Sequence, residues 1–220
     1  MKREIRETAD GSKTIYLPEL DEHYHSSHGA LQEAQHVFIK YGLSHCSQDY
    51  LTILEMGYGT GLNALLTYFA SEKRNQYIHY IAIEAFPPTE EEWRAMEYHK
   101  HNPSDESLEV FEKMNLAPWN QVTSLSEHFV IEKRQVKFEE LDLKAESVDL
   151  IFYDAFGPRV QPDLWTLERF QDCYNWLTDE GVFVTYCAKG QVKRDLKTAG
   201  FKLEALPGPP GKREMTRGFK

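Results

Sequence analysis

Apolar residues fall into short runs separated by polar, helix-patterned stretches. LTILEMG (51–57), YIHYIAIEA (77–85), VDLIFY (148–153) and GVFVTYC (181–187) read as buried strands. Gln135–Glu139 reads as a further strand, and 201–206 and 215–219 as closing strands around the loop PGPPGKRE. LNALLTYFASEK (62–73) and the stretches 162–177 and 190–199 repeat apolar residues at helical spacing. A polar, mostly helical region runs from Thr89 to about Glu132, with Pro87, Pro88, Pro103 and Pro118 as breakers. Strands alternating with helices predict an α/β domain over 47–220: a mostly parallel seven-stranded sheet with helices on both faces. Residues 1–46 form an N-terminal extension expected to pack on that core. It starts with a hairpin-like turn at Asp10-Gly11-Ser12. A helical stretch follows from about Gly29, with Leu31, Ala34, Val37, Phe38 and Tyr41 in phase and Gly42 as its stop.

Composition narrows the class. Hydrophobic residues make up 41% and charged residues 27%, which fits a globular domain and not a disordered chain. Lys plus Arg number 25 against 35 Asp plus Glu, a net charge of −10, which excludes a uniformly basic nucleic-acid binder. The charge is uneven. From Lys189 to Lys220 there are nine Lys/Arg and three Asp/Glu, so a basic tail rides on an acidic body. Such a tail is either a footprint for a polyanion or a solvated helix face plus an edge strand. No run approaches the roughly 18 apolar residues of a membrane helix. The start MKREIRETADGSK is too polar for a signal peptide. Cys46, Cys173 and Cys187 suit neither a disulfide framework nor a CxxC knuckle, so a reducing cytoplasm is expected.

The strongest local signal is ILEMGYGTGLN (53–63). Gly57, Gly59 and Gly61 follow an apolar strand and open a helix. The spacing is G-x-G-x-G with Glu55 just before it; the G-x-G-x-x-G of dinucleotide folds would need a glycine where Leu62 stands. This is the S-adenosylmethionine pattern, and the alternative is a strand-to-helix turn with no ligand. Glu84 ends the second strand, where a carboxylate accepts hydrogen bonds from ribose hydroxyls; otherwise it is a solvated strand end. Glu139-Glu140-Leu141-Asp142 ends the third strand, and Glu140 is the favoured residue for the adenine end, against a plain acidic loop. Asp154 ends the fourth. A carboxylate there would orient an amine and take up its proton during methyl transfer, or it caps a Gly-Pro turn. Phe156 and Pro158 would wall the site, and Tyr24 and His25 would line or cover it. His23, His25 and His28 do not follow a familiar zinc spacing, so no metal is expected.

MGYGTGLN, AIEAFP, FYDAFGPRVQPDLW and GKREMTRG, in that order, resemble the methyltransferase domain of the bifunctional tRNA-modification MnmC family and its stand-alone relatives. Tyr24-His25-Ser26 and Glu33 match further family positions. The resemblance covers roughly residues 14–220. It implies a Rossmann-like class I methyltransferase that uses S-adenosylmethionine to methylate the 5-aminomethyl group of 2-thiouridine at the tRNA wobble position. By motif, Gly57, Gly59, Gly61 and Asn63 belong to the cofactor loop, with Glu55 just before it as a further cofactor candidate by position; Glu84 holds the ribose and Asp154 meets the amine. Lys212 and Arg213 sit in the loop expected near the substrate. No second dinucleotide motif for the family's oxidoreductase reaction lies in these residues, so a separate oxidoreductase or precursor-supplying enzyme is the expected partner. The Glu139-Glu140 pair departs from the family's third-strand pattern, and the net charge is unusual for a tRNA enzyme. A small-molecule amine or acid methyltransferase on the same fold is the alternative function, and a non-catalytic nucleoside-binding protein a third. The sequence does not specify an oligomeric state.

Overall fold

The structure, a computed structural model, describes residues 2–220. Its N-terminal strands β1 (Glu4–Glu7), β2 (Lys13–Leu17) and β3 (Glu22–His23) form a separate three-stranded antiparallel sheet. The Asp10 carboxylate fixes the first turn by accepting from the Thr8 and Ser12 hydroxyls. Helix α1 (Ala30–Ala34) runs directly into a π-helical turn, Gln35–Lys40, which buries Val37, Phe38 and Ile39. Ile15, Leu17, Val37 and Phe38 join the same apolar cluster as Ile53, Leu65 and Phe152 of the main body.

The main body contains β4 (Tyr50–Met56), α2 (Leu62–Arg74), β5 (Tyr77–Ile83), α3 (Glu90–Ala95), α4 (Ser107–Leu116), β6 (Gln121–Ser124) and β7 (Phe129–Arg134). It continues with β8 (Val148–Tyr153), α5 (Leu167–Trp176), β9 (Leu177–Thr185), α6 (Gly190–Ala199), β10 (Lys202–Pro207) and β11 (Glu214–Phe219). Together the strands form one sheet in the order β10-β11-β9-β8-β4-β5-β7-β6. The centre, β9-β8-β4-β5-β7, is parallel; β11 and β6 pair antiparallel with their neighbours. One apolar cluster lies on each side of the sheet, as strands buried on both faces require.

Two expectations need correction. The sheet has eight strands, not seven, because β6 adds a hairpin to its edge. The third parallel strand is Phe129–Arg134, whereas Gln135–Glu139 leads into a single 3₁₀ turn, Phe138–Glu140. The alternation Phe129, Ile131, Lys133 faces the interior, and a lysine at an inward position masks the period-two signal. Lys133 is 1% exposed. It donates to the Asn115 carbonyl at 2.5 Å and lies 4.7 Å from the Trp119 ring centroid. The region from Thr89 onward is packed against the body through Trp93, Met96, Tyr98, Phe111 and Met114, all buried. Thr89 and Glu92 close a reciprocal capping box at the start of α3.

Candidate active site

The register of the central strands creates the site. Met56 pairs with Ile83 on one side and Tyr153 on the other, so β4, β5 and β8 end at one level. The residues just beyond those ends, Gly57, Glu84 and Asp154, therefore meet at the carboxyl edge of the sheet, where ligands of open α/β sheets bind. Gly57 has φ +93, and a Cβ built there would lie 3.0 Å from the Asp154 carbonyl oxygen. The chain can cross beside β8 only without a side chain at this point. The Gly57 and Tyr58 N–H groups both donate to the Ile83 carbonyl, which ties the turn to β5. Glu84 is half-buried: its Oε2 accepts from the Gly59 N–H at 3.1 Å and its Oε1 from the Phe86 N–H at 2.9 Å.

A cavity of about 640 Å³ opens over these tips, well inside the roughly 300–1,000 Å³ range of small-molecule sites. Gly57, Gly59, Glu84 and Asp154 line it, with Ile83 and Phe138 among its apolar walls. Its far side belongs to the N-terminal segment. Arg3 donates to the Phe86 carbonyl at 2.7 Å and to Glu92 at 2.8 Å, joining the first residues to the loop after β5. A second, smaller cavity of about 210 Å³ shares Tyr24, His25, Ala155 and Phe156 with the first. Its other lining groups include Glu22, Glu33, Gly157, Tyr186 and Lys212. Tyr24 and Phe156 meet edge to face at 5.3 Å on the boundary.

Asp154 is half-buried, its carboxyl at the first cavity's wall. Asn63, near the start of α2, donates from the one Nδ2 to Asp154 Oδ2 at 2.8 Å and to Glu55 Oε1 at 2.9 Å. Burial, and secondarily the charge of Glu33, hold the Asp154 carboxyl well above the usual carboxylate range; the Asn63 hydrogen bond and Lys212 oppose this. Glu55 is fully buried, and burial raises its carboxyl well above the usual range too. It does not line the cavity; it reaches the site only through Asn63. Glu55 Oε2 and Asn63 Oδ1 are buried without a direct partner among the described residues.

The structure thus brings together Gly57, Gly59, Glu84, Asp154, Tyr24 and Phe156, with Asn63 and Glu55 behind Asp154. Gly61 is the left-handed N-cap of α2 and does not line the cavity. Glu140 is exposed on its 3₁₀ turn, and Val136 and Phe138 form the wall there. Lys212 lines the smaller cavity, whereas Arg213 is exposed and lines neither. His23 and His25 line the smaller cavity, His28 is exposed, and among the described residues no three His, Cys, Asp or Glu converge as a metal site. Arg3, Gln161, Leu164 and Tyr186 are site residues that no local pattern announces.

Comparison with known proteins shows what the chain resembles. Residues 115–220 match the profile of a family described as S-adenosyl-L-methionine-dependent methyltransferase. The chain is 30% identical over 220 residues to the tRNA 5-methylaminomethyl-2-thiouridine biosynthesis bifunctional protein MnmC of Paraburkholderia phymatum, covering 93% of this chain and 33% of that protein. It is 29% identical to the protein of the same name from Hydrogenovibrio crunogenus, over 90% of this chain and 31% of that protein. Over most of its own length this chain is similar to one part of the MnmC proteins. It spans about a third of the length of these MnmC relatives. The crystal structure of MNMC2 from Aquifex aeolicus superposes with a TM-score of 0.76 at 25% identity, covering 99% of this chain and 70% of that one. The fold is that of the class I S-adenosylmethionine-dependent methyltransferases, a mixed sheet with a mostly parallel centre.

Proposed function

We propose that this chain uses S-adenosylmethionine to methylate the 5-aminomethyl nitrogen of 2-thiouridine at the tRNA wobble position. The observation that carries the reading is Asp154, whose raised carboxyl stands at the wall of the glycine-turn cavity, beside residues shared with a polar pocket. The names of the MnmC relatives supply the tRNA context. The residues fit the cofactor: Gly57 and Gly59 line the cavity with no side chain to fill it, and Glu84 lines it with acceptor oxygens for a ribose. When bound, S-adenosylmethionine supplies a methyl group on a sulfonium, ready for a nucleophile. Gly57, Gly59 and Glu84 hold that ligand, and Asn63 keeps the Asp154 carboxylate aimed at the cavity.

Asp154 Oδ accepts the proton of the incoming ammonium, which frees the nitrogen lone pair. A carboxyl raised by burial is a stronger base than an exposed one, so its pKa lies closer to that of the amine. Tyr24 and Phe156 exclude water at the junction and keep donor and acceptor in line. Docking of tRNA falls to the basic C-terminal region. Lys193, Lys212, Arg217 and Lys220 there are ion-paired within the chain, while Lys189, Arg194, Lys197, Lys202 and Arg213 are exposed and without an ion pair among the described residues. The work would take place in the cytoplasm; no helix of the described residues is long and apolar enough to cross a membrane. A separate oxidoreductase or precursor-supplying enzyme would deliver the aminomethyl base.

The test is methyl incorporation from labelled cofactor into tRNA carrying the 5-aminomethyl base, followed by nucleoside analysis. Label in the methylaminomethyl nucleoside is expected, with binding that weakens steeply as salt rises. Label only in free metabolites, or none in any tRNA, overturns the reading.

A further inference from the structure

The smaller cavity holds an ion pair whose two halves are unlike. Glu33, on α1, is only 6% exposed. It is fixed from behind, since its Oε1 accepts from the Ser26 N–H at 3.3 Å. Lys212 reaches its Oε2 from the loop between β10 and β11, across 179 residues of sequence, with a side chain 32% exposed. The ammonium also sits 3.9 Å from the Tyr186 ring centroid. The anion is therefore buried and rigid, while the cation is a long side chain on a surface loop. A buried carboxylate cannot stand unpaired without a large penalty, but any cation of the right shape can satisfy it. Lys212 is a primary ammonium, and so is a protonated aminomethyl group.

We propose that Glu33 is the anchor for the ammonium of the methyl acceptor, and that Lys212 is a resident cation which this ammonium replaces. The inference rests on the proposed reaction and deepens it by naming the subsite for the acceptor's charged group. His25, Ala155 and Phe156 line both cavities, so a group held at Glu33 enters beside the wall that Asp154 shares. His25 stays neutral, its imidazole pulled down to about 4 by burial, and its Nε2 is buried without a partner among the described residues. It therefore adds no competing charge to the subsite. Once released, Lys212 stands next to exposed Arg213, where a phosphate of the same nucleic acid is a natural new partner. A free nucleoside brings no such phosphate, so it must displace Lys212 unaided.

Binding of two probes to the full chain tests this: 5-aminomethyl-2-thiouridine nucleoside and its uncharged 5-hydroxymethyl analogue. Isothermal titration should show Lys212→Gln binding the amine about tenfold more tightly than the wild type, the scale of one charge-assisted hydrogen bond, with the neutral analogue unchanged. Glu33→Gln should lose the preference for the amine. In the unmodified protein, the Lys212 ammonium signal should shift in nitrogen-detected NMR when the amine is added, a readout that depends on no variant folding. An unmoved Lys212 signal, or an amine bound no better by Lys212→Gln, overturns the exchange. Methyl transfer to tRNA by the wild type is scored separately. If it occurs without exchange, the inference falls and the proposed reaction stands; exchange without transfer to tRNA has the opposite meaning.

Discussion

The two cavities that meet at Tyr24 and Phe156 are built in opposite ways. The larger one rests on the sheet: its functional groups follow directly from the ends of β4, β5 and β8, and their backbone bonds fix them to one another. The smaller one is assembled from β3, the chain just after it, α1, the segment after β8, β9's end and the β10–β11 loop. Its polar groups are held by side chains, chiefly the Glu33–Lys212 pair. A wall set by strand register cannot adapt without breaking the sheet, whereas a wall set by an ion pair can exchange partners. The first suits a ligand that is always the same, the second an acceptor that must be admitted and released.

The largest effect expected from breaking this arrangement is at Asp154, in the larger cavity and next in sequence to Ala155 and Phe156 of the shared boundary. Asp154→Asn keeps the size of the side chain and its neighbour Asn63 but removes the base. kcat should fall by about 10²–10⁴, the usual range for a general base. Cofactor affinity, read by titration calorimetry, should change little. Equal loss of affinity and turnover would make Asp154 a structural group of the larger cavity. Next in size is Gly57→Ala. Its φ of +93 and the 3.0 Å approach to the Asp154 carbonyl leave no relaxed position for a methyl group. Strain of about 1–3 kcal/mol is expected, visible as a lowered Tm together with weakened cofactor binding. A Gly57→Ala protein with unchanged affinity would show that the turn is not the cofactor's floor.

The same contrast explains what was legible in the sequence. The strands 51–57, 77–85 and 148–153 and the glycine turn are contiguous signals, and they sit close to β4, β5 and β8. Gly57, Glu84 and Asp154 follow from the ends of those runs. The third strand, Phe129–Arg134, is not legible as an apolar run because Lys133 occupies an inward position where apolar residues usually stand. What resolves it is tertiary: a lysine satisfied by the Asn115 carbonyl and two aromatic rings, Trp119 and Tyr58. The place of Glu55 before the glycines points to a cofactor contact, yet strand alternation turns it inward, behind Asn63. Arg3, Tyr186 and Gln161 gave no local sign because they enter the site from distant parts of the chain. Glu33 and Lys212 were visible only through family resemblance, since nothing in either segment announces a contact spanning 179 residues.

A third effect is smaller and directional. The Asp154 carboxyl must be ionised to take a proton, so the acid limb of kcat/KM should lie well above the usual carboxylate range. Glu33 raises that carboxyl and Lys212 lowers it. Glu33→Gln removes a raising charge, and the limb should move to lower pH; Lys212→Gln removes a lowering one, and the limb should move to higher pH. The acceptor amine's own titration is common to all three proteins, so the comparison isolates Asp154. Shifts in the same direction for both variants would show that the smaller cavity does not act on Asp154 through charge.

The smallest effect tests whether the sheet-built side is as rigid as its hydrogen bonds suggest. Lys133 lies under the glycine turn, 5.4 Å from the Tyr58 ring centroid, and donates to a neutral carbonyl, that of Asn115. Burial lowers its ammonium from 10.5 to about 8. Between those two values the unfolded chain still holds a proton that the folded chain has released, so stability contributed by this group rises with pH across the window. Lys133→Met has no such titration. The Tm of the wild type relative to Lys133→Met should therefore climb between about pH 8 and 9 by about 2–4 °C, the shift that accompanies roughly 1 kcal/mol in a chain of this size. Cofactor affinity of the two proteins should stay matched at each pH, because the turn is held by backbone bonds to Ile83 and not by the charge beneath it. If affinity instead follows the Lys133 titration, the larger cavity also depends on a charged side chain, and the division between a fixed wall and an exchangeable one no longer holds.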